Sequence, residues 1–328
     1  MKALILAGGF GTRMRPLTYT RPKHLLPIAN VPHIEHIFDL LQRHDVNEAV
    51  LLTSYLADAF DETVARAADR GLKLEITHEA EPLGTAGALR NAKDLVGNET
   101  FLTFNGDVLT DFDLGDALRF HDSRGAETTL VLTPVEDPSA FGVVPTDSEG
   151  LVQGFIEKPP PGEAPTNLIN AGIYVMEPSV LDRIPEGQVY SAERELFPAI
   201  AADGFMYALR SDAYWMDLGT PEKFLQANVD ALEGRYACDA VPEPGPGRFL
   251  VGVGAEIQDG ARVSSSCLGS GTRIGAGSSV QRAVLLPGVV VGANATIDNA
   301  TLGEGVCVAP GGRVTGVAIG DNEMVHAS

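Results

Sequence analysis

From Val251 onward, apolar residues recur with a period of seventeen: Val251, Ile257 and Val263, then Leu268, Ile274 and Val280, then Leu285, Val291 and Ile297, then Leu302, Val308 and Val314. Ile319 continues the series. Gly254, Gly271, Gly288 and Gly305 repeat in step, as do Gly260, Gly277, Asn294 and Gly311. A fixed period held over four turns argues against an antiparallel sandwich and predicts a solenoid with three short strands per coil. One apolar side chain per strand then points inward, and each corner takes a residue tolerant of positive φ. Asn294 fits the series because Asn shares that tolerance with Gly.

The first 236 residues follow another rule. Short apolar runs alternate with amphipathic stretches of helical period, the pattern of an α/β sheet covered by helices. Strands are expected at 2–7, 49–53, 72–77, 100–105, 128–134, 151–157, 170–175 and 205–209, and helices at 34–43, 56–69 and 114–121. A Pro/Gly cluster, Val241-Pro242-Glu243-Pro244-Gly245-Pro246-Gly247, reads as a linker. The expected organisation is a domain over 1–236, a linker over 237–248 and the solenoid over 249–328.

Directly after the apolar run Ala3 to Ala7, residues 8–23 read Gly-Gly-Phe-Gly-Thr-Arg-Met-Arg-Pro-Leu-Thr-Tyr-Thr-Arg-Pro-Lys. Without Cβ atoms at Gly8, Gly9 and Gly11, backbone N–H groups can approach an anion, and the loop then delivers Arg13, Arg15 and Lys23. This is the make-up of a nucleotide-phosphate site. A dinucleotide fingerprint starting at Gly9 would need glycine where Met14 stands, and the Gly-Lys-Ser/Thr of a P-loop occurs nowhere. What remains, G-G-x-G-T-R-x-R-P-L-T followed by Arg-Pro-Lys and Leu25-Leu26-Pro27-Ile28, closely resembles the signature of sugar-1-phosphate nucleotidyltransferases. The C-terminal repeat resembles hexapeptide-repeat left-handed β-helices with one residue dropped per coil, and its hand is implied by that resemblance alone. The fold class implied is α/β, a Rossmann-like nucleotidyltransferase domain with a mostly parallel sheet, followed by a short left-handed parallel β-helix.

Nucleotidyl transfer needs a metal to gather triphosphate charge, cations for the non-bridging oxygens and an acceptor phosphate held in line. Asp107 lies in Asn105-Gly106-Asp107 at the C-terminal end of an apolar run, where open α/β sheets bind ligands. Asp217 lies in Trp215-Met216-Asp217-Leu218-Gly219-Thr220, before a helix expected from Pro221. Both suit a hard cation such as Mg²⁺. The resemblance matches them to the family's N-G-D and W-x-D-x-G-T motifs. It implies catalytic roles for Arg13, Lys23, Asp107 and Asp217, with the two aspartates as metal ligands. For the nucleotide it implies Leu6, Ala7, Gly8, Gly9, Gly11, Thr12 and Arg13, with Glu81, Pro82, Gly84 and Thr85 in a base-reading loop over 79–87 whose helix begins over 87–91. For the sugar phosphate it implies Gly142, Glu157, Lys158, Asn170 and Trp215, with Lys158 on the acceptor phosphate; packing beside Asp217 suits Trp215 better than stacking on a base.

The implied reaction is NTP + sugar 1-phosphate ⇌ NDP-sugar + pyrophosphate. The Glu81-Pro82-Leu83-Gly84-Thr85-Ala86-Gly87 loop beside a short β-helix looks most like mannose-1-phosphate guanylyltransferases. Uridylyl- and thymidylyltransferases acting on glucose 1-phosphate share most of it. A scaffold subunit of the same two-domain plan is a rival reading, against which stand the retained Arg13, Lys23, Asp107, Lys158 and Asp217. So is a bifunctional enzyme whose β-helix acetylates an amino sugar, yet the only histidine after residue 121 is His326. The flat sides and end coils of a β-helix favour instead the packing of subunits into a homo-oligomer.

A formal charge of −20 argues against nucleic acid or an anionic membrane as partner. Four arginines and six acids follow Val251, so nearly all the excess charge belongs to the preceding part. Six lysines against eighteen arginines, with abundant carboxylate, suit a salt-rich cytosol. Cys238, Cys267 and Cys307 are widely separated and form no C-x-x-C pair, which fits reduced thiols in a cytoplasmic protein. No apolar run is long enough to span a bilayer.

Overall fold

The computed structural model describes every residue except Tyr55, Ala80 and Ser328. By backbone contact the chain divides into two units, Met1–Gly9 with Leu40–Trp215, and Phe10–Asp39 with Met216–Ser328.

The first unit is built on β1 (Ala3–Leu6), β2 (Glu48–Thr53), β3 (Lys73–His78), β4 (Phe101–Asn105), β5 (Thr128–Pro134), β6 (Gly142–Val143), β7 (Ile156–Glu157), β8 (Leu168–Met176) and β9 (Met206–Arg210). Their order is β7-β6-β8-β4-β1-β2-β3, with β5 pairing β8 and β9. Ala3, Leu4 and Ile5 are fully buried, as a continuous apolar run flanked by parallel neighbours must be. β4, β1, β2 and β3 run parallel, while β8 is antiparallel to β4 and to β5. Leu4, Phe101, Leu130, Tyr174 and Phe197 belong to the core under the sheet.

Three expected elements differ. The run 151–157 is not one strand: Leu151 and Val152 form isolated bridges to Tyr207 and Thr146, and only Ile156–Glu157 joins the sheet, with Gly154 between them. The helix expected over 56–69 starts as a 3-10 turn at Ala57–Phe60 and becomes α-helical at Asp61–Asp69, because Leu56 has φ 51°. The helix expected over 87–91, α1 (Gly84–Asn91), begins three residues earlier than expected.

In the second unit, α2 (Pro221–Glu233) starts as expected at Pro221. Thr220 caps it by accepting from Lys223 N, and Gly234 ends it at φ 75°. Asn228, buried on this helix, accepts from Ala29 N at 2.8 Å and donates to Pro27 O at 3.2 Å, fixing the hairpin of Pro27–Ile28 and Val31–Pro32.

The solenoid stacks parallel strands whose register equals the sequence period: Leu250 pairs Cys267, Glu256 pairs Arg273, and Arg262 pairs Ser279. This is a parallel β-helix, left-handed as in the hexapeptide family. Leu268, Ile274, Leu285, Val291, Ile297 and Leu302 fill its axis. Val251 and Ile257 depart from the inward rule, at 49% and 39% exposure, because no coil precedes theirs. Gly254, Gly260, Gly271, Gly277, Gly288, Asn294, Gly305 and Gly311 all have positive φ. A third corner series, Arg248, Ser265, Arg282, Asn299 and Gly316, shares that conformation.

Candidate active site

In the first unit, Gly8, Gly9 and Asp107 lie beyond the carboxyl ends of β1 and β4. Leu6 pairs with Leu52 on one side and Asn105 on the other, and its carbonyl accepts from Gly106 N at 2.9 Å. The chain therefore leaves adjacent strands at Gly8–Gly9 and at Gly106–Asp107. Ala7 is buried, Leu6 half-buried and Gly9 exposed. A Cβ at Gly8 would lie 2.8 Å from Ser54 Oγ, which donates to Gly8 O at 2.5 Å, so a side chain there would displace that hydroxyl. Asp107 is half-buried in the turn before the strand Val108–Thr110.

The loop expected to read the base is held from below. Gly84 has φ 77°, and a Cβ there would meet Tyr190 O at 2.8 Å. Tyr190 O accepts from Ala86 N and Gly87 N, and Tyr190 N donates to Leu83 O at 2.8 Å. Thr85 Oγ1 donates to Glu193 Oε2 and accepts from Ala192 N, each at 2.8 Å, so its hydroxyl ties the loop to the segment Ala192–Leu196. Glu81 and Pro82 are exposed.

Glu79 opens the loop 79–87 expected to read the base, but the sequence alone assigned it no role. It is 7% exposed; one carboxylate oxygen accepts from Leu83 N at 3.3 Å, and Oε1 has no hydrogen-bond partner among the described residues. Burial raises its pKa, with the Leu83 N–H and His78 opposing. A buried glutamate with an unused oxygen stands out only once its surroundings are known.

Among the residues expected to meet the sugar phosphate, β6 and β7 place Gly142 opposite Glu157. A Cβ at Gly142 would strike the Phe155 ring at 2.6 Å and lie 3.1 Å from Glu157 Oε2. Lys158 takes φ 51°, its N–H donates to Phe141 O at 3.0 Å, and its ammonium lies 3.4 Å from Glu157 Oε1. Phe141 meets Trp215 edge-on, and Trp215 Nε1 donates to Ala171 O at 2.9 Å. Asn170 sits beside Ala171, but its side chain is already engaged. It donates to Tyr174 Oη at 2.8 Å and accepts from Gly172 N at 3.0 Å, closing a bulge in β8.

The second unit carries the other expected residues. Gly11 has φ 61°, its carbonyl accepts from Thr18 Oγ1 at 2.8 Å, and the 3-10 turn Thr12–Met14 follows. Thr12 and Arg13 are exposed, and Lys23 is half-buried at the start of a second 3-10 turn, Lys23–Leu25. Arg13 and Asp217 converge at Gly219, where a Cβ would come 2.9 Å from Asp217 Oδ1 and 3.1 Å from Arg13 Nη2. Lys223 Nζ donates to Asp217 Oδ2 at 3.0 Å. Lys223 is a second residue the sequence reading passed over, though its rarity among six lysines was a usable signal.

Asp107 in the first unit and Asp217 in the second each carry the hard oxygens that a cation such as Mg²⁺ prefers. Among the described residues no group of three or more His, Cys, Asp or Glu side chains could hold an ion, so these residues offer no protein-only cage. Cys267 is fully buried and its thiol is pushed up to about 12 by burial, which makes it inert as a nucleophile. No helix is long and apolar enough to cross a membrane among the described residues.

Residues 2–234 match the family described as nucleotidyl transferase, and residues 248–327 match GlmU-like, C-terminal hexapeptide. A mannose-1-phosphate guanylyltransferase of Mycobacterium tuberculosis is 40% identical over 285 residues, 81% of this chain and 79% of that protein. The mannose-1-phosphate guanyltransferase beta-A of Xenopus laevis is 43% identical over 229 residues, covering 69% of this chain but only 63% of its own length. Among solved structures, HddC from Yersinia pseudotuberculosis complexed with GMP-PN is similar with a TM-score of 0.60 and 28% identity, over 69% of this chain and 97% of that one. A putative glucose-1-phosphate thymidylyltransferase from Bacillus anthracis, in complex with sucrose, gives a TM-score of 0.64 at 25% identity, over 70% and 94%.

Proposed function

The chain belongs to the nucleotidyl transferase family, and from that premise we propose that it transfers a guanylyl group from GTP to mannose 1-phosphate, forming GDP-mannose and pyrophosphate. The carrying observation is the buried carboxylate of Glu79 at the head of the base-reading loop. A carboxylate offers two acceptors and no donor. Guanine presents adjacent N1–H and N2–H₂ donors, which match it; uracil and thymine present one N–H between two carbonyls, which do not. The names of the relatives in Mycobacterium and Xenopus support the same pair of substrates.

In this reading the N–H groups from Gly8 to Thr12, with Leu6 and Ala7 behind them, cradle the phosphates, while Glu81, Pro82, Gly84 and Thr85 shape the base pocket. Glu157 accepts from sugar hydroxyls, and Lys158 holds the acceptor phosphate as a point charge. Gly142, Asn170 and Trp215 form the wall behind it. A phosphate oxygen of the sugar attacks the α-phosphorus as the bond to the bridging oxygen breaks on the opposite side, and pyrophosphate leaves with the electron pair. Arg13 and Lys23 offset the charge that accumulates on the leaving group. Bound Mg²⁺, on Asp107 and Asp217, would supply Lewis-acid neutralisation of the triphosphate. Three free cysteines suit work in a reducing cytoplasm.

The test is a steady-state comparison of GTP, UTP and dTTP, each with mannose 1-phosphate and with glucose 1-phosphate, following pyrophosphate. GTP with mannose 1-phosphate should have the highest kcat/KM. A preference for UTP or dTTP with glucose 1-phosphate would overturn the substrate assignment, and absence of pyrophosphate with every pair would favour a scaffold.

A further inference from the structure

We propose that the last coils of the β-helix hold the cation-bearing segment in its working conformation, with Asp321 and Arg21 as positioning residues that act through Lys23. The inference rests on the reading above, in which Lys23 meets the triphosphate. Asp321 faces the segment with one oxygen and its own coil with the other. Its Oδ2 accepts from Arg21 Nη2 at 2.7 Å and from Thr20 Oγ1 at 2.5 Å, while Oδ1 accepts from Glu304 N at 2.7 Å. The carboxylate is therefore fixed to the preceding coil and only 8% exposed. Glu304 also meets Arg21 Nη2, at 2.8 Å, but its side chain is 52% exposed, so the shielded Asp321 is the stronger hold. Gly320 adds close packing: a Cβ there would come 3.2 Å from Pro16 Cβ.

Lys23 lies between two such attachments. Upstream, Thr20 and Arg21 are tied to the coil, and Pro22, at φ −59°, leaves little freedom before the turn that begins at Lys23. Downstream, Asn30 Nδ2 donates to Leu268 O at 2.9 Å on an earlier coil, and Asn228 holds Pro27 and Ala29. Arg21 is thus committed to two carboxylates, which distinguishes it from the exposed Arg13 of the same segment. Releasing Asp321 leaves only the exposed Glu304 to hold Arg21 upstream and leaves the downstream attachment in place. The loss should fall on the placement of Lys23, for which small displacements are costly to rate.

The experiment measures pyrophosphate release by the full chain with GTP, mannose 1-phosphate and Mg²⁺, for Asp321→Ala, Lys23→Ala and the double variant. Asp321→Ala should lower kcat about 10-fold to 10²-fold with KM for mannose 1-phosphate unchanged. In the Lys23→Ala background the same change should cost no further factor. Should Asp321→Ala fail to fold, Asp321→Asn keeps the shape and loses the charge held by Arg21, and the same non-additivity is expected. A kcat unchanged by loss of Asp321, or losses that multiply in the double variant, would overturn the inference. Lys23→Ala within tenfold of wild type would instead remove the nucleotide reading itself.

Discussion

Glu79 is buried with one oxygen unused, an arrangement that costs stability unless something else is gained. Glu79→Gln keeps the shape and one acceptor while replacing the second acceptor with a donor. It should lower kcat/KM for GTP about 10-fold to 10²-fold. It should also erase the difference between GTP and ITP, whose base lacks the N2 amine. The same change should raise Tm at neutral pH. Burial raises the folded-state pKa of Glu79, so as pH climbs past the ordinary glutamate value the unfolded chain ionises first and the native state is weakened. Below about pH 4 both states are protonated and the gain from glutamine should vanish. A Tm unchanged by Glu79→Gln at neutral pH would contradict this account of its burial. Separately, Lys23→Ala and Asp107→Ala should each cost about 10² to 10³ in kcat, the order of a lost transition-state electrostatic contact. The role of Glu79 was hidden in the sequence because an acid becomes informative only through its burial, which composition does not carry, whereas Lys223 was marked by the scarcity of lysine but not by its partner Asp217.

Strands and coils were easier to read than the loops between them. The seventeen-residue period set the register of the β-helix directly, since Leu250 pairs Cys267 and each later strand follows suit. Two of its corners were visible as glycine series. The third was not, because Arg248, Ser265 and Arg282 take positive φ without a glycine to mark them. A second demand on glycine was also invisible: a Cβ at Gly292 would lie 2.5 Å from Pro310 N on the next coil. Gly292→Ala should therefore destabilise by about 1 to 3 kcal/mol, as overpacking against backbone does. Thermal or urea unfolding checks it, and a loss below about 0.5 kcal/mol would mean that the coils part easily. In the α/β unit, Thr128–Pro134 coincides with its expected limits, whereas 151–157 breaks because an alternating apolar pattern does not reveal where a chain changes partners.

Across the molecule, charge and exposed apolar surface carry the remaining expectations. With a net charge of −20, self-repulsion should be relieved by salt, and Tm should rise between about 0.1 and about 2 M KCl; a flat or falling Tm would remove the salt-adapted reading. The first coil leaves Val251, Val253 and Ile257 exposed, Val253 at 87%, and a second copy of the chain is the occupant we expect there. Light scattering should then show an oligomer that Val253→Glu weakens, and a wild-type monomer would exclude that role. The attachment of Arg21 to Asp321 lay beyond any sequence reading, because nothing local pairs residues 300 positions apart.

A crystal structure with a non-hydrolysable GTP analogue and Mg²⁺ would examine the whole assignment at once. The phosphates should lie on the N–H groups from Gly8 to Thr12 with Arg13 and Lys23 beside them, the ion on Asp107 and Asp217, and the guanine edge on Glu79. A nucleotide bound elsewhere, or an ion that touches neither aspartate, would contradict it.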